Sequence, residues 1–168
     1  MNAQLSKEFA ATLEKNKGII YKVANAYCKD RDDRKDLVQE IIIQLWRSFD
    51  RYDDQYKLST WMYRIALNVS ISFYRKERKR KNSDFLINED IVEIADEYSS
   101  DELEVNISLL QRFINELKEL DRAMMLLYLE EKSQKEIGEI LGLTEANVST
   151  KVGRIKEKLK QRFSLTNE

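Results

Sequence analysis

Apolar residues recur along this chain at helical spacing, and the recurrence divides it into segments. In Glu145–Arg162, Val148, Val152, Ile155 and Leu159 fall at i, i+4, i+7 and i+11, one stripe of a helix. Just before it, Ile137, Ile140 and Leu141 form the inner face of a shorter helix. Ser133 and Glu136 have capping-box spacing and start that helix at Gln134. Gly142 ends it, because glycine takes a positive φ at little cost. Gly138 is small enough to let another helix cross closely. Thr144 is placed to cap the next helix, with Asn147 at its third position. A short helix, a glycine turn and a second helix with one buried face make a helix-turn-helix pattern.

Upstream, "VNISLLQRFINELKELDRAMMLLYLEEK" carries further apolar helical repeats, which would complete a small C-terminal domain. In the first half, "DLVQEIIIQLWRSFD" places Val38, Ile41, Ile42, Leu45, Trp46 and Phe49 on an inner stripe. Asp36, Gln39, Glu40, Ile43 and Arg47 lie toward the other side, where Ile43 is an apolar residue amid polar ones, as at a protein-binding hot spot. "STWMYRIALNVSISFYRKERKRK" reads as a second long helix, capped by Ser59 or Thr60, with Trp61, Ile65, Val69 and Phe73 pointing inward. Arg64, Asn68, Ser72 and Arg75 share another face, which runs into the cluster Tyr74–Lys81. Between the two helices lies a polar loop, "DRYDDQYKL", with two tyrosines.

Composition narrows the fold class. Four glycines and no proline in 168 residues leave too few turn formers for a sandwich or barrel. The expectation is all-α: two small helical domains, 1–82 and 105–168, joined by an acidic linker over 83–104. Cys28 is the only cysteine and there is no histidine, which excludes an internal disulfide and argues against a zinc site. Its neighbours "VANAYCKD" suggest a buried or half-buried helical position. No Gly-rich phosphate loop or metal-ligand motif is visible, so no enzyme, cofactor or metal is expected. The stretch "MNAQLSKEFAATLEKNK" has no apolar core of signal-peptide length, and "AMMLLYL" is far short of a membrane span. A cytoplasmic protein without membrane insertion is expected.

The formal net charge of −1 conceals a segregation. Residues 1–82 hold 18 basic and 11 acidic residues, 83–104 nine acidic and no basic ones, and 105–168 eleven basic and ten acidic ones. Two basic patches therefore flank an acidic segment, which points to nucleic acid. On the last helix, Asn147, Thr150, Lys151 and Arg154 lie opposite the apolar stripe, with Ser149 and Gly153 at the edges. Short polar side chains among cations let a helix enter a major groove, where Lys and Arg reach bases or phosphates. In the first half, a basic face beside exposed aromatics suits a single strand, whose bases stack on rings. Tyr56 is a candidate stacking ring. Arg64, Arg75 and Arg78 are candidate phosphate ligands, with the acidic segment a candidate mask for the basic patches in the free chain.

Together these stretches resemble the bacterial sigma-70 family of RNA polymerase sigma factors, in its small extracytoplasmic-function group. "DLVQEIIIQLW", "STWMYRIALNV" and "YRKERKR" look like conserved region 2, and "SQKEIGEILGLTEANVSTKVGRIKEKLK" looks like region 4. Neither region 1 nor a full region 3 is expected. The resemblance implies that region 2 holds a coiled coil of the polymerase β′ subunit and opens the −10 element. Region 4 would sit on the β flap and read the −35 element. By motif position, Asp36, Gln39 and Glu40 would face polymerase. Asn68 and the neighbouring loop would handle the unpaired −10 strand, and Ser149, Thr150, Lys151 and Arg154 would face the −35 groove. An anti-sigma factor is a further candidate partner. The sequence departs from the family pattern at Ser72 (Asp is common), Leu120-Asp121 (Leu-Pro), Gly138 (Ala) and Gly153 (a larger residue). Three rival readings differ in kind: a DNA-binding regulator acting without polymerase, an enzyme, and a protein-binding adaptor. The first does not need the Gln39/Glu40/Ile43 face, and the last leaves both basic patches unexplained.

Overall fold

The structure is a computed structural model that describes residues 3–83 and 102–166. Seven α-helices account for most of them: α1 (Ala3–Tyr27), α2 (Arg31–Ser48), α3 (Leu58–Ser83), α4 (Glu102–Asn115), α5 (Glu119–Leu129), α6 (Gln134–Leu141) and α7 (Glu145–Thr166). A 3₁₀ turn, Phe49–Arg51, follows α2, and there is no strand among the described residues. Most of the acidic linker lies outside the described residues. Its last three residues, Glu102 to Glu104, already belong to α4.

Helices α1, α2 and α3 pack on one another as an N-terminal bundle. Ile20, Val23, Ala24 and Tyr27 bury one face of α1, and Phe9 meets Trp46 and Phe49 edge-on at 5.0 and 5.2 Å. Asp30 starts α2: its carboxylate accepts from the backbone N–H groups of Asp32 and Asp33, both at 2.9 Å. Those bonds hold the Asp30 carboxyl below its ordinary value. Leu37, Val38, Ile41 and Leu45 are the buried residues of α2, while Ile42, Trp46 and Phe49 are half-buried.

The third helix departs from expectation in two ways. It starts at Leu58, with the Lys57 carbonyl accepting from Trp61 N–H at 3.1 Å, so Ser59 and Thr60 lie within the first turn. Trp61, Ile65, Val69 and Phe73 are only half-buried. The deepest line is Met62, Tyr63, Ala66, Leu67 and Ser70. The cause is tertiary: α3 packs against both α1 and α2, so its innermost residues face the seam between them rather than one partner. Cys28 is buried, one residue beyond α1; its Sγ reaches the Asp30 carbonyl at 3.5 Å, and burial pushes its thiol up.

In the C-terminal unit, α5, α6 and α7 enclose Ala123, Met124, Leu127, Ile137, Val148, Val152 and Ile155. α4 joins through Phe113, which meets Phe163 edge-on at 5.0 Å, with the Arg162 guanidinium 4.2 Å from the Phe113 ring. The two units are in contact through α3 with α6 and α1 with α5. No helix among the described residues is long and apolar enough to cross a membrane.

Candidate nucleic-acid interface

The helix-turn-helix is built as its sequence dictates. Ser133 Oγ accepts from Glu136 N–H at 3.1 Å, and a Glu136 carboxylate oxygen accepts from Ser133 N–H at 2.9 Å. Gly142 has φ of 71° and closes α6, with Leu143 N–H donating to the Gly138 carbonyl at 2.9 Å. Gly138 does permit a close approach, but of the turn itself and not of another helix. A Cβ there would lie 2.5 Å from the Leu143 carbonyl oxygen. Thr144 Oγ1 then accepts from Asn147 N–H at 3.2 Å and starts α7.

These caps fix the rotation of α7. Val148, Val152, Ile155 and Leu159 are buried, and Asn147, Ser149, Thr150, Gly153 and Arg154 are exposed. Lys151 is half-buried at the margin. The outer face thus offers hydroxyls, an amide and two cations over about two turns. Gly153 leaves a gap in it.

The second candidate surface runs from the α2–α3 loop along α3. Tyr52 donates its hydroxyl to the Tyr56 carbonyl at 2.9 Å, and Gln55 N–H donates to Asp53 Oδ1 at 3.2 Å. Asp54 takes a positive φ of 59°, a conformation that Asp tolerates through local hydrogen bonding. Beneath the loop lies an aromatic ledge, with Tyr52 and Trp61 ring centres 5.3 Å apart. Tyr56 is 37% exposed, and the Arg64 guanidinium lies 5.3 Å from its ring centre. Asn68, exposed, is one turn further along α3. Arg75 and Arg78, also exposed, lie two to three turns beyond it. The fold therefore brings Tyr56 and Arg64 together, continues through Asn68, and places Arg75 at the junction with α5. There, Arg75 Nε is 3.5 Å from a Glu119 carboxylate oxygen.

On α2, Asp36, Glu40, Ile43 and Arg47 form one exposed line with Gln39 beside it. Ile43 is 42% exposed, and Gln44 donates to Glu40 at 3.0 Å. This face points away from the core built by Leu37, Ile41 and Leu45.

Sequence reasoning missed Arg122 and Lys57. Arg122 is buried, and its guanidinium lies 5.3 and 4.9 Å from the Tyr27 and Tyr74 ring centres. Nothing in "ELDRAMMLLYL" separates it from an ordinary helix cation. Lys57 pairs with Glu136, 79 residues away, at 3.2 Å. The Glu136 carboxyl is held below the usual carboxylate range, first by Ser133 N–H and then by Lys57. Glu119 is held low by its own backbone N–H and by Arg75. Tyr63 is pushed up to about 12 and Tyr27 is raised further, both by burial.

A helical bundle with an exposed aromatic–basic face, joined to a helix-turn-helix with an open recognition helix, defines a two-part DNA-recognition protein. Family comparison agrees. The Sigma-70 region 2 family model matches residues 12–80, and the Sigma-70, region 4 model matches residues 107–159. The chain is 29% identical to the ECF RNA polymerase sigma factor SigW of Bacillus subtilis, over 92% of this chain and 88% of the relative. It is 30% identical to the RNA polymerase sigma factor SigZ of the same organism, over 75% of this chain and 70% of the relative. Among solved structures it resembles the sigma factor RpoE of Bartonella quintana, crystallised in complex with the anti-sigma factor NepR. The TM-score is 0.66 at 21% identity, covering 97% of this chain and 98% of that one. The chain belongs to the sigma-70 family, in its extracytoplasmic-function group. It is a sigma factor, associated with RNA polymerase in promoter-specific initiation.

Proposed function

We propose that the division of labour within this sigma factor follows its three exposed faces. The outer line of α2 (Asp36, Gln39, Glu40, Ile43, Arg47) meets the β′ coiled coil of core polymerase. The loop at Tyr56 and the α3 face of Arg64, Asn68, Arg75 and Arg78 hold the unpaired −10 strand. The α7 face of Asn147, Ser149, Thr150, Lys151 and Arg154 enters the −35 major groove, while the same unit rests on the β flap. Residues 1–82 form the region 2 domain, 83–104 the linker and 105–168 the region 4 domain. The protein acts in the cytoplasm and takes an anti-sigma factor as a further partner, as the similar RpoE does in its crystal.

One observation carries the −35 assignment. Four buried apolar residues rotate α7 so that Ser149, Thr150 and Arg154 stand in solvent together. Arginine or lysine on a base edge discriminates by ~1–3 kcal/mol. Lys151→Ala and Arg154→Ala are therefore expected to impair transcription in vitro, with core polymerase, from a −35-dependent promoter. Lys158→Ala and Lys160→Ala change mainly the salt dependence, as phosphate neighbours do. Full activity of a Lys151→Ala/Arg154→Ala double variant on such a promoter would refute the assignment. The rival reading of a regulator independent of polymerase is not favoured, because the family matches span both units.

A further inference from the structure

Gly142 and Gly138 are glycines for reasons inside the fold: one takes a positive φ, the other leaves room for the Leu143 carbonyl. Gly153 has neither reason. It lies well inside the 22-residue α7, its φ is not positive, and a Cβ built on it would meet nothing within 4 Å. The residue is exposed. A glycine in a helix interior shifts the folding equilibrium against the helix by about fivefold relative to alanine. Nothing within the chain offsets that loss.

The surroundings of Gly153 show what could come near it. Ala146, Ser149, Thr150 and Gly153 stand at i, i+3, i+4 and i+7, one ridge of α7, and all four are exposed. No side chain on that ridge is larger than threonine. By helical rotation, Lys151, Arg154 and Lys158 follow one edge of the ridge, and Lys156 and Lys160 the other. Lys156 is turned toward α5, where its ammonium donates to the Tyr128 hydroxyl at 3.2 Å. A low ridge between two rows of cations lets a helix sink between two phosphate strands. Its backbone then comes nearest the base edges where its side chains are shortest. Glu157, exposed, ends the ridge one turn past Gly153. Its carboxylate repels phosphates, which confines the close approach to the N-terminal half of α7, the part of a recognition helix that contacts base edges.

We infer that Gly153 is a specificity-determining residue: a base pair of the −35 element lies against the α7 backbone at Gly153, in a gap that a side chain would fill, and the missing side chain selects which base pair fits. The inference deepens the −35 assignment above and rests on it. Ser149, Thr150 and Arg154 read by the groups they offer; Gly153 reads by shape.

The test uses the sigma factor assembled with core polymerase. Its templates form a library randomised over the −35 element, each with a transcribed barcode, so that sequencing the transcripts reports the preference at every position. Gly153→Ala adds one methyl group and Gly153→Lys a cation. Gly18 is also exposed inside a helix with nothing within 4 Å of a Cβ, and it belongs to no assigned face, so Gly18→Ala is the control. Both alanine variants should raise Tm by about 2–4 °C, since alanine is the better helix former. Gly153→Ala is nonetheless expected to lower transcription from the preferred templates about fivefold or more, and to change the preference at one or two adjacent positions. Gly153→Lys separates contact from open space. A cation added beside DNA strengthens binding where there is room for it, so an empty gap gives a gain and a close approach gives a loss. On a template pre-melted at −10 and lacking the upstream duplex, every variant should equal the wild type. A deficit on that template, full activity of Gly153→Ala with unchanged preference, a gain in Gly153→Lys, a loss uniform over the library, or an equal loss in Gly18→Ala overturns the inference. The Lys151→Ala/Arg154→Ala variant on the same library separates it from the −35 assignment. If that variant loses the −35 preference while Gly153→Ala keeps it, the assignment stands and the inference alone falls. If neither loses it, the assignment falls and takes the inference with it.

Discussion

Helix α6 has only eight residues, so its first turn should carry a large share of its stability. Four N–H groups at a helix start lack intrahelical partners, and in α6 the Ser133 hydroxyl takes one of them, Glu136 N–H at 3.1 Å. Removing that hydroxyl in Ser133→Ala is expected to cost about 1 kcal/mol. For a chain of this size that lowers Tm by about 2–4 °C. Hydrogen exchange should accelerate at Glu136 and Ile137, whose amides lie in the first turn. Glu136→Gln probes the other half of the box. Its carboxylate accepts from Ser133 N–H and pairs with Lys57, and both hold its folded value below the ordinary 4.5. A carboxyl held low in the folded state stabilises above its unfolded value, and that stabilisation is lost as pH falls through the folded value. Wild type should therefore lose stability below about pH 4.5 more steeply than Glu136→Gln, which has no carboxyl at this position. Thermal melts at pH 7 and through pH 5 to 3 measure both effects. Equal Tm for Ser133→Ala and wild type, or equal acid slopes for Glu136→Gln and wild type, would refute the reasoning.

Further outcomes concern the assigned faces. Ile43→Asp and Glu40→Lys should weaken core polymerase binding, by ~2 kcal/mol or more if either is a central interface residue. Circular dichroism should be unchanged, since neither side chain enters the core; undiminished affinity in both would remove α2 from the interface. Asn68→Ala should leave closed-complex formation nearly intact and reduce open-complex formation, because stacking lost on opening (~1.4 kcal/mol per step) must be offset by captured bases. Templates mismatched over the −10 region should partly rescue it; loss of core binding instead would mark Asn68 as structural. Leu37→Ala should cost 2–5 kcal/mol by leaving a cavity between α1, α2 and α3, and a urea midpoint equal to wild type would contradict its burial.

The sequence alone determined the features whose causes are local. The capping box at Ser133 and Glu136, the positive φ of Gly142, the Thr144 cap and the α7 stripe each depend on residues within a few positions of one another. Four residues suffice for a cap, and a stripe is a periodicity. The same reasoning put the outer faces of α2 and α7 in solvent. It failed where a helix has two neighbours. The Trp61–Phe73 stripe of α3 reads as the inner face, but packing against α1 and α2 together turned Met62, Ala66 and Leu67 deepest, and put Leu37 of α2 fully inside. No periodicity encodes that, because the second neighbour is brought up by the chain's path. Gly138 shows the same limit at short range: its small size was legible, but the Leu143 carbonyl that requires it was not. The contact between the units was decided by tertiary structure throughout. Arg122 and Glu119 look like ordinary helix charges in the sequence, and Lys57 like an ordinary loop cation. Arg122 joins the two units only because folding sets the end of α1, the flank of α3 and the α4–α5 turn around one guanidinium, with partners up to 96 residues away.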